Sequence, residues 1–329
     1  MKGLWRACLF GAGAAVAGIT ATGVAAYSST RYLLKVALDR EMPTVPRLEQ
    51  AKAKLCGSEK MGQFLDHMAA AAEKLESTPH TTVTIQSYDG QSLVGHWYDT
   101  PDPKRVIIAM HGWRSGWSSD FGTIANFWHK NGCCVLYAEQ RGQGNSGGSH
   151  MGFGMMERYD CLYWCKWVNS HCRHLPVYLA GVSMGATTVL LTADLELPAN
   201  VRGIMADCGF TSAHDIWKHV AEKNLHMNYQ VRRAMADALC RGKIAMSPKD
   251  CSTIQALSKC KIPVLFAHGT QDHFVPVEMT YANYAACASE KYLLIVPGAE
   301  HGMCYFMETE RYRKAVLDFW ESCEKEALA

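Results

Sequence analysis

Short apolar runs alternate with amphipathic stretches through most of the chain. The runs cover residues 106–110, 133–137, 177–180, 203–206, 264–267 and 292–296. Each run is apolar along its whole length and is followed by a stretch with helical spacing of its apolar residues. Strands that are apolar on both faces indicate a parallel sheet covered by helices on both sides. The pattern therefore predicts an α/β fold with a mostly parallel, doubly wound sheet.

Two further patterns extend this prediction at the start and in the middle of the sheet. Residues 82–86 and 93–98 flank the turn Tyr88-Asp89-Gly90-Gln91, and residues 82–86 alternate between polar and apolar. This arrangement is typical of an antiparallel hairpin, which we expect before the parallel strands. Between residues 210 and 261 the pattern is helical and no strand is indicated. We therefore expect a small helical lid over the sheet.

The first 80 residues lack the alternation of strands and helices. We therefore divide the chain into a hydrophobic segment with its flank at residues 1–41, a connector with an amphipathic helix at residues 42–80, and a main domain at residues 81–329. The stretch Ala7 to Tyr27 has no charged side chain. It is long enough to cross a hydrocarbon core of about 30 Å. An uncleaved signal anchor, a signal peptide cut after Val24-Ala25-Ala26 and a buried helix all remain open. We expect membrane association with the main domain outside the cytoplasm; secretion after cleavage and a cytoplasm-facing domain are the alternatives.

Charge and cysteine content narrow the classes of partner. The 329 residues include 33 Lys and Arg against 31 Asp and Glu, for a formal net charge of +2. Such a balance predicts no nucleic-acid partner. Several of the 14 cysteines lie in apolar settings, as Cys133 and Cys134 do, which indicates small buried hydrophobes and a reducing or oxygen-poor setting. The cysteines and histidines near Cys161 lack paired Cys-x-x-Cys spacing, so no metal site is expected.

A candidate nucleophile lies between a predicted strand and a predicted helix. The segment Gly181-Val182-Ser183-Met184-Gly185 follows the run 177–180 directly and opens a helical stretch. In a sharp strand-to-helix turn of the form Gly-x-Ser-x-Gly, the glycines allow close backbone contact and the serine hydroxyl is presented above the sheet. We therefore predict that Ser183 is a nucleophile and that Gly181 and Gly185 support it.

A serine hydroxyl needs an imidazole base, and the base needs a carboxylate that orients it. Asp272 follows the run 264–267, and His301 follows the run 292–296. Active sites of open α/β sheets lie at the carboxyl ends of the strands, where both residues are expected. We predict a triad of Ser183, His301 and Asp272. Asp207, which follows another strand, is the competing acid or a residue that supports the loop, and His268 is interpreted as structural.

Two backbone N–H groups should stabilise the negative charge that develops in acyl transfer. The N–H of Met184 follows the nucleophile directly, at the start of a helix. The second is expected from the loop after the run 106–110, which begins His111-Gly112-Trp113. We predict the N–H of Trp113 as this second donor, with His111 and Gly112 as supporting residues.

These motifs resemble the α/β-hydrolase superfamily, in particular its serine esterases and lipases, over nearly all of residues 81–321. The resemblance rests on His111-Gly112-Trp113, Arg141-Gly142-Gln143-Gly144-Asn145-Ser146, the glycine–serine turn, and the pair Asp272 and His301. It implies a structural role for Arg141 and a reaction without a cofactor. With its N-terminal hydrophobic segment, the chain is similar to bacterial membrane-associated hydrolases of mostly unassigned substrate. It departs from many lipases because Trp113 and Arg114 stand where a His-Gly-Gly-Gly loop has small residues.

The expected activity is hydrolysis of a carboxylic ester, with a small-molecule ester as the partner. A peptidase or amidase on the same triad is the alternative, and an acyltransferase or thioesterase a third enzymatic option. The remote alternative is an inactive, membrane-tethered binding module. Because one fold serves many substrates, the sequence leaves the acyl chain length, the leaving group and the oligomeric state open.

Overall fold

The computed structural model describes residues 23–42, 59–172 and 174–326. These residues contain one sheet of eight strands: β1 (Thr81–Gln86), β2 (Ser92–Tyr98), β3 (Arg105–Met110), β4 (Cys133–Ala138), β5 (Val177–Val182), β6 (Val201–Asp207), β7 (Val264–Gly269) and β8 (Lys291–Val296). Their order across the sheet is β1-β2-β4-β3-β5-β6-β7-β8. Strand β2 is antiparallel to β1 and to β4, and the other neighbouring pairs are parallel. The predicted sheet and hairpin are confirmed.

Helices cover both faces of the sheet. The helices of the described residues are α1 (residues 23–38), α2 (Glu59–Ser77), α3 (Trp117–Lys130), α4 (Glu157–His171), α5 (Met184–Leu191), α6 (Ala213–His219), α7 (Tyr229–Ile244), α8 (Thr253–Leu257), α9 (Val277–Ala286), α10 (Cys304–Met307) and α11 (Thr309–Glu326). Successive side chains of a strand point to opposite faces. In β3, Ile108 therefore joins an apolar cluster with Trp164 of α4. Its neighbour Ile107 joins a second cluster with Phe121 of α3 and Phe319 of α11. This two-sided burial explains why the strands are apolar throughout.

The chain between β6 and β7 is helical, as the sequence predicts, and consists of α6, a π-helical turn (Val220–Asn224), α7 and α8. We call this part the helical insertion. Helix α1 packs against it. Leu34 and Leu38 are buried in one apolar cluster with Trp217 and Tyr229 of the insertion. A helix near the N-terminus therefore contributes to the layer above the carboxyl ends of the strands.

The predicted hydrophobic segment Ala7 to Tyr27 falls mostly on residues 1–22, which lie outside the described part of the chain. Its last residues begin α1, where the side chains of Val24 and Tyr27 are exposed. Across the described ranges, no helix combines the length and the apolar character that a membrane crossing requires.

Twelve of the cysteines lie among the described residues, and all twelve are free thiols. Eleven of them are buried, including Cys133 and Cys134 in β4, and Cys172 is half-buried. Their packing agrees with the interpretation as small apolar side chains.

Candidate active site

The turn between β5 and α5 holds Ser183 in a conformation that few side chains adopt. Ser183 has φ 55° and ψ −116°. A Cβ atom on Gly181 would lie 2.3 Å from the backbone of Gly185, and one on Gly185 would lie 1.8 Å from the carbonyl oxygen of Met110. Only glycine fits at these two positions, because real contacts to a Cβ are never so short. The two glycines thus let α5 start directly on the ends of β3 and β5.

The structure brings the three predicted triad residues together. Nε2 of His301 lies 2.9 Å from Oγ of Ser183, and Nδ1 of His301 lies 2.6 Å from Oδ2 of Asp272. An ionised carboxylate only accepts hydrogen bonds, so Nδ1 of His301 carries the proton. In the neutral imidazole, Nε2 is then the acceptor for the hydroxyl of Ser183. This is the protonation pattern that a general base for Ser183 needs.

Asp272 is held by four donors. Its Oδ1 accepts the backbone N–H groups of Phe274 and Val275 at 2.9 and 2.8 Å. Its Oδ2 accepts from His301 and also from Nε2 of His268, at 3.1 Å. These bonds satisfy a fully buried carboxylate and leave it one orientation.

The same contacts set the pKa values of the pair. Burial alone would raise the pKa of Asp272, but the charge of His301 and the hydrogen bonds from His268 and His301 hold it well below its usual range. Burial also disfavours a charged His301, but Cys208 and Asp272 outweigh burial and raise the pKa of His301 above its ordinary value. Burial raises the pKa of the Cys208 thiol to about 11, so this thiol is neutral near pH 7. Asp272 is therefore the anion that acts on His301 there.

The loop after β3 lies beside Ser183. A Cβ on Gly112 would lie 3.4 Å from Cβ of Ser183. The N–H of Gly112 donates to Oδ2 of Asp120 in α3, at 2.6 Å. His111 accepts from the N–H of Gln140 through Nε2, so its Nδ1 donates to the carbonyl of Gly112. Burial lowers the pKa of His111 and keeps it neutral in this role.

The predicted oxyanion donors belong to the first residue of α5 and to the loop after β3. Met184 is the first residue of α5, so its N–H has no partner within the helix. Trp113 follows Gly112 in the loop, and its indole Nε1 donates to the carbonyl of Ala37 in α1 at 2.8 Å. The side chain of Trp113 thus anchors the loop to α1.

The loop after β4, which contains Gln140, Arg141 and Gln143, contacts the loop after β3. The guanidinium of Arg141 is buried and paired with Asp160 at 2.5 Å and with Asp89 at 2.7 Å. This pairing fixes the loop that also carries Gln140 and Gln143. Gln143 Oε1 accepts the N–H of Arg114 at 2.6 Å. The expected structural role of Arg141 is consistent with these contacts.

Asp207, the competing acid, is not the carboxylate that binds His301. It ends β6, and its backbone carbonyl accepts the N–H of Ser183 at 2.9 Å. Its carboxyl is buried, which raises its pKa, and it lines a cavity of about 40 Å³ with Tyr305 and Tyr312. The hydrogen bond to His301 is made by Asp272 instead.

Three residues act at this site in ways that sequence reasoning missed. His268 donates to Asp272, and Thr280 Oγ1 lies 2.6 Å from its Nδ1. Asp120 holds Gly112, and its position in the first turn of α3 is a signal that sequence reasoning could have used. Cys208 lies close to Asp272 and His301. Among the described residues, these three form the one cluster of at least three His, Cys, Asp or Glu side chains whose ligand atoms all lie within 4.8 Å of one another. The proximity of Cys208 to His301 arises because β6 and β8, which flank β7, end at the same edge of the sheet, and no local pattern shows this.

The glycine at the start of α5 gives a direct test of this packing. We expect Gly185→Ala to lower the denaturation midpoint sharply, because its methyl group would overlap the carbonyl of Met110. Gly242→Ala is the matched control, since Gly242 lies in α7 with no atom within 4 Å of a Cβ. That control should stabilise the protein by about 0.5–1 kcal/mol. Equal urea midpoints for Gly185→Ala and wild type would contradict the described contact.

Comparisons with known proteins agree with this architecture. A family model described as "Serine aminopeptidase, S33" matches residues 101–243. The uncharacterised protein YqkD of Bacillus subtilis is 26% identical over 251 residues, which cover 76% of this chain and 82% of YqkD.

Solved structures share the fold. The Pyrococcus furiosus esterase Pf2001 matches with a TM-score of 0.62 at 20% identity, over 76% of this chain and 93% of that chain. An esterase of Exiguobacterium antarcticum, EaEST, matches with a TM-score of 0.54 at 18% identity, over 73% of this chain and 99% of that chain. The order of its strands, the glycine-flanked serine turn after β5 and these matches show that the chain has the α/β-hydrolase fold.

Proposed function

We propose that the protein is a serine hydrolase that cleaves carboxylic esters through an acyl-enzyme intermediate. The observation that carries this proposal is the unbroken hydrogen-bond chain from Ser183 through His301 to Asp272. The side chain of His301 is 27% exposed, so a substrate can reach its imidazole from solvent. An inactive binding module would have no need to maintain this chain of three polar groups.

The reaction follows from the positions of these atoms. Ser183 Oγ attacks the ester carbonyl while its proton passes to Nε2 of His301, and the N–H groups of Met184 and Trp113 bind the oxyanion. Collapse of the tetrahedral intermediate breaks the bond to the alcohol oxygen, which takes the proton from His301. A water molecule then attacks the acyl-enzyme, with the proton again passing through His301, and releases the acid. Asp272 stabilises the imidazolium in both halves.

Two candidate leaving groups have support. The structural neighbours described as esterases favour an alcohol. The family model described as a serine aminopeptidase favours an amine, and a peptidase or amidase is therefore the second candidate. Both use the same triad, so the choice depends on the substrate pocket.

Ester turnover by the full chain tests the proposal. We expect hydrolysis of p-nitrophenyl esters, graded from acetate to palmitate, and little cleavage of an aminoacyl p-nitroanilide. Ser183→Ala should lower kcat by roughly 10⁵- to 10⁶-fold, whereas Ser170→Ala at the exposed end of α4 should behave as wild type. Cleavage of the anilide alone would favour the peptidase. No turnover by folded protein would count against both enzymes.

The pH profile tests the pairing of His301 with Asp272. His301 must be neutral to accept a proton, so kcat/KM should fall as pH drops through its pKa. That pKa is raised, so the acid limb should lie above the ordinary histidine value of about 6.5.

The matching variant is Asp272→Asn, which removes the anion and should move this limb to lower pH. It should also lower kcat by about 10⁴-fold. Asp318→Asn, on the exposed face of α11, is the control. An acid limb at the same pH in Asp272→Asn and wild type would contradict the assigned acid.

We also propose that residues 7–27 attach the protein to a membrane. Support comes from the uncharged stretch between Arg6 and Arg31 and from the exposed apolar side chains of Val24 and Tyr27 at the start of α1. Val16→Arg places a charge in the middle of the stretch and should cost about 2.5–3.5 kcal/mol of insertion. The full chain should remain in the membrane pellet after an alkaline wash, and Val16→Arg should lower that fraction. Leu225→Arg, on the exposed surface of the insertion, is the control.

A further inference from the structure

Helix α1 ends beside the loop that carries the proposed oxyanion donor. The last carbonyl groups of a helix have no partner within the helix. Here the guanidinium of Arg114 binds one of them and also binds carbonyl groups just beyond the end of the helix. Its Nε and Nη2 donate to the carbonyl of Val36 at 3.0 and 2.7 Å, and Nη2 also donates to the carbonyl of Asp39 at 2.5 Å. The neighbouring indole of Trp113 donates to Ala37. Two consecutive loop residues thus bind the same end of one helix.

The backbone of Arg114 is constrained as tightly as its side chain. Its φ is 52°, in the left-handed region that a residue with a side chain seldom adopts. Its N–H donates to Gln143, and on the other side of Trp113 the N–H of Gly112 donates to Asp120. The peptide N–H of Trp113 lies between these two anchors. Its direction therefore depends on both of them.

Helix α1 is itself held by contacts other than Arg114. Arg232 of α7 donates to Oγ of Ser29 at 3.3 Å, near the middle of α1, and Lys243 at the other end of α7 pairs with Asp39, the residue after α1. Leu34 is buried in the cluster that α1 shares with the insertion. The second half of α1 is thus fixed by contacts of its own and can support the loop.

We propose that Arg114 is a positioning residue, which uses the C-terminal end of α1 to aim the N–H of Trp113 at the oxyanion. Helix α1 is then a working part of the active site. This inference rests on the proposed function, because it assigns a role within the same acyl transfer. The role also explains why Trp113 and Arg114 occupy loop positions at which many lipases have small residues: both side chains bind the end of α1.

The test measures the rate at which a fluorophosphonate labels Ser183 in the full chain. In this reaction Ser183 Oγ bonds to phosphorus and fluoride leaves, the hydroxyl proton passes to Nε2 of His301, and the phosphoryl oxygen occupies the oxyanion site. The rate therefore reports the donors without a known substrate. Loss of one oxyanion donor typically costs about 10²–10³-fold. We expect Arg114→Ala, which misdirects a donor but keeps it, to slow labelling about 10–100-fold.

Arg114→Lys should recover part of the labelling rate, because an ammonium can still donate to one carbonyl but not to several. Where p-nitrophenyl esters are turned over, kcat should fall with the labelling rate and KM should change little. The matched control is Arg105→Ala at the opposite end of β3, whose guanidinium binds Glu324 and the carbonyl of Asn131. It should lower the melting temperature and label as fast as wild type.

A second variant separates the helix from the loop. Leu34→Ala removes packing beneath α1 and changes no atom of the loop. It should increase hydrogen exchange over residues 23–38 and slow labelling in the same protein. Faster exchange with an unchanged labelling rate would overturn the role of the helix.

The outcomes distinguish the two proposals. If wild type and Arg114→Ala are labelled at the same rate, the positioning role is overturned and the proposed serine hydrolase activity stands. Folded wild type that is not labelled at all would overturn the proposed function and the positioning role with it. Slower labelling in both Arg114→Ala and Leu34→Ala, with Arg105→Ala as wild type, supports the proposal.

Discussion

The contact between α5 and the end of β3 is the constraint on which the site depends. With no side chain at Gly185, the first turn of α5 lies directly on the carbonyl of Met110. Met110 is the last residue of β3, and the loop with Gly112 and Trp113 starts immediately after it. One backbone contact therefore sets the distance between the turn that presents Ser183 and the loop that lies beside it. Any side chain at Gly185 would separate the two halves of the site.

Around this contact, each buried polar group has a defined partner and hence a defined direction. Asp272 accepts four hydrogen bonds, and Asp120 accepts from Gly112 and from Ser115. Leaving such carboxylates unpaired inside the protein would be costly. The same bonds that satisfy them also orient the imidazole of His301 and the loop after β3. Solvation of buried charge and preorganisation of the site are thus achieved by one set of contacts.

The layer above the strands combines parts of the chain that are far apart. Leu34 and Leu38 from α1, Phe153 from the loop before α4 and Trp217 from the insertion pack in one apolar cluster, which also contains Met184. Helix α1 includes the last residues of the predicted hydrophobic segment, so a single helix joins that end of the chain to the loop after β3.

Local patterns were sufficient for much of this protein. Strands buried on both faces must be apolar throughout, so their positions and the parallel sheet could be predicted from sequence. The turn around Ser183 could be predicted too, because its strain requires glycines at set positions. Asp272 and His301 were identified since each follows a strand, and strand ends meet at one edge of a parallel sheet.

Other features depended on contacts between distant segments. No local pattern indicates that Cys208 would lie near His301, or that the guanidinium of Arg114 would bind the carbonyl of Val36, 78 residues away in α1. Backbone carbonyls accept hydrogen bonds whatever their side chains are, so a sequence carries no sign of which of them a distant arginine will reach. The sequence by itself determined the order of the strands along the chain and the chemical groups at their ends. Only the tertiary structure decided which of those groups meet, because their distances depend on how the helices pack across the sheet.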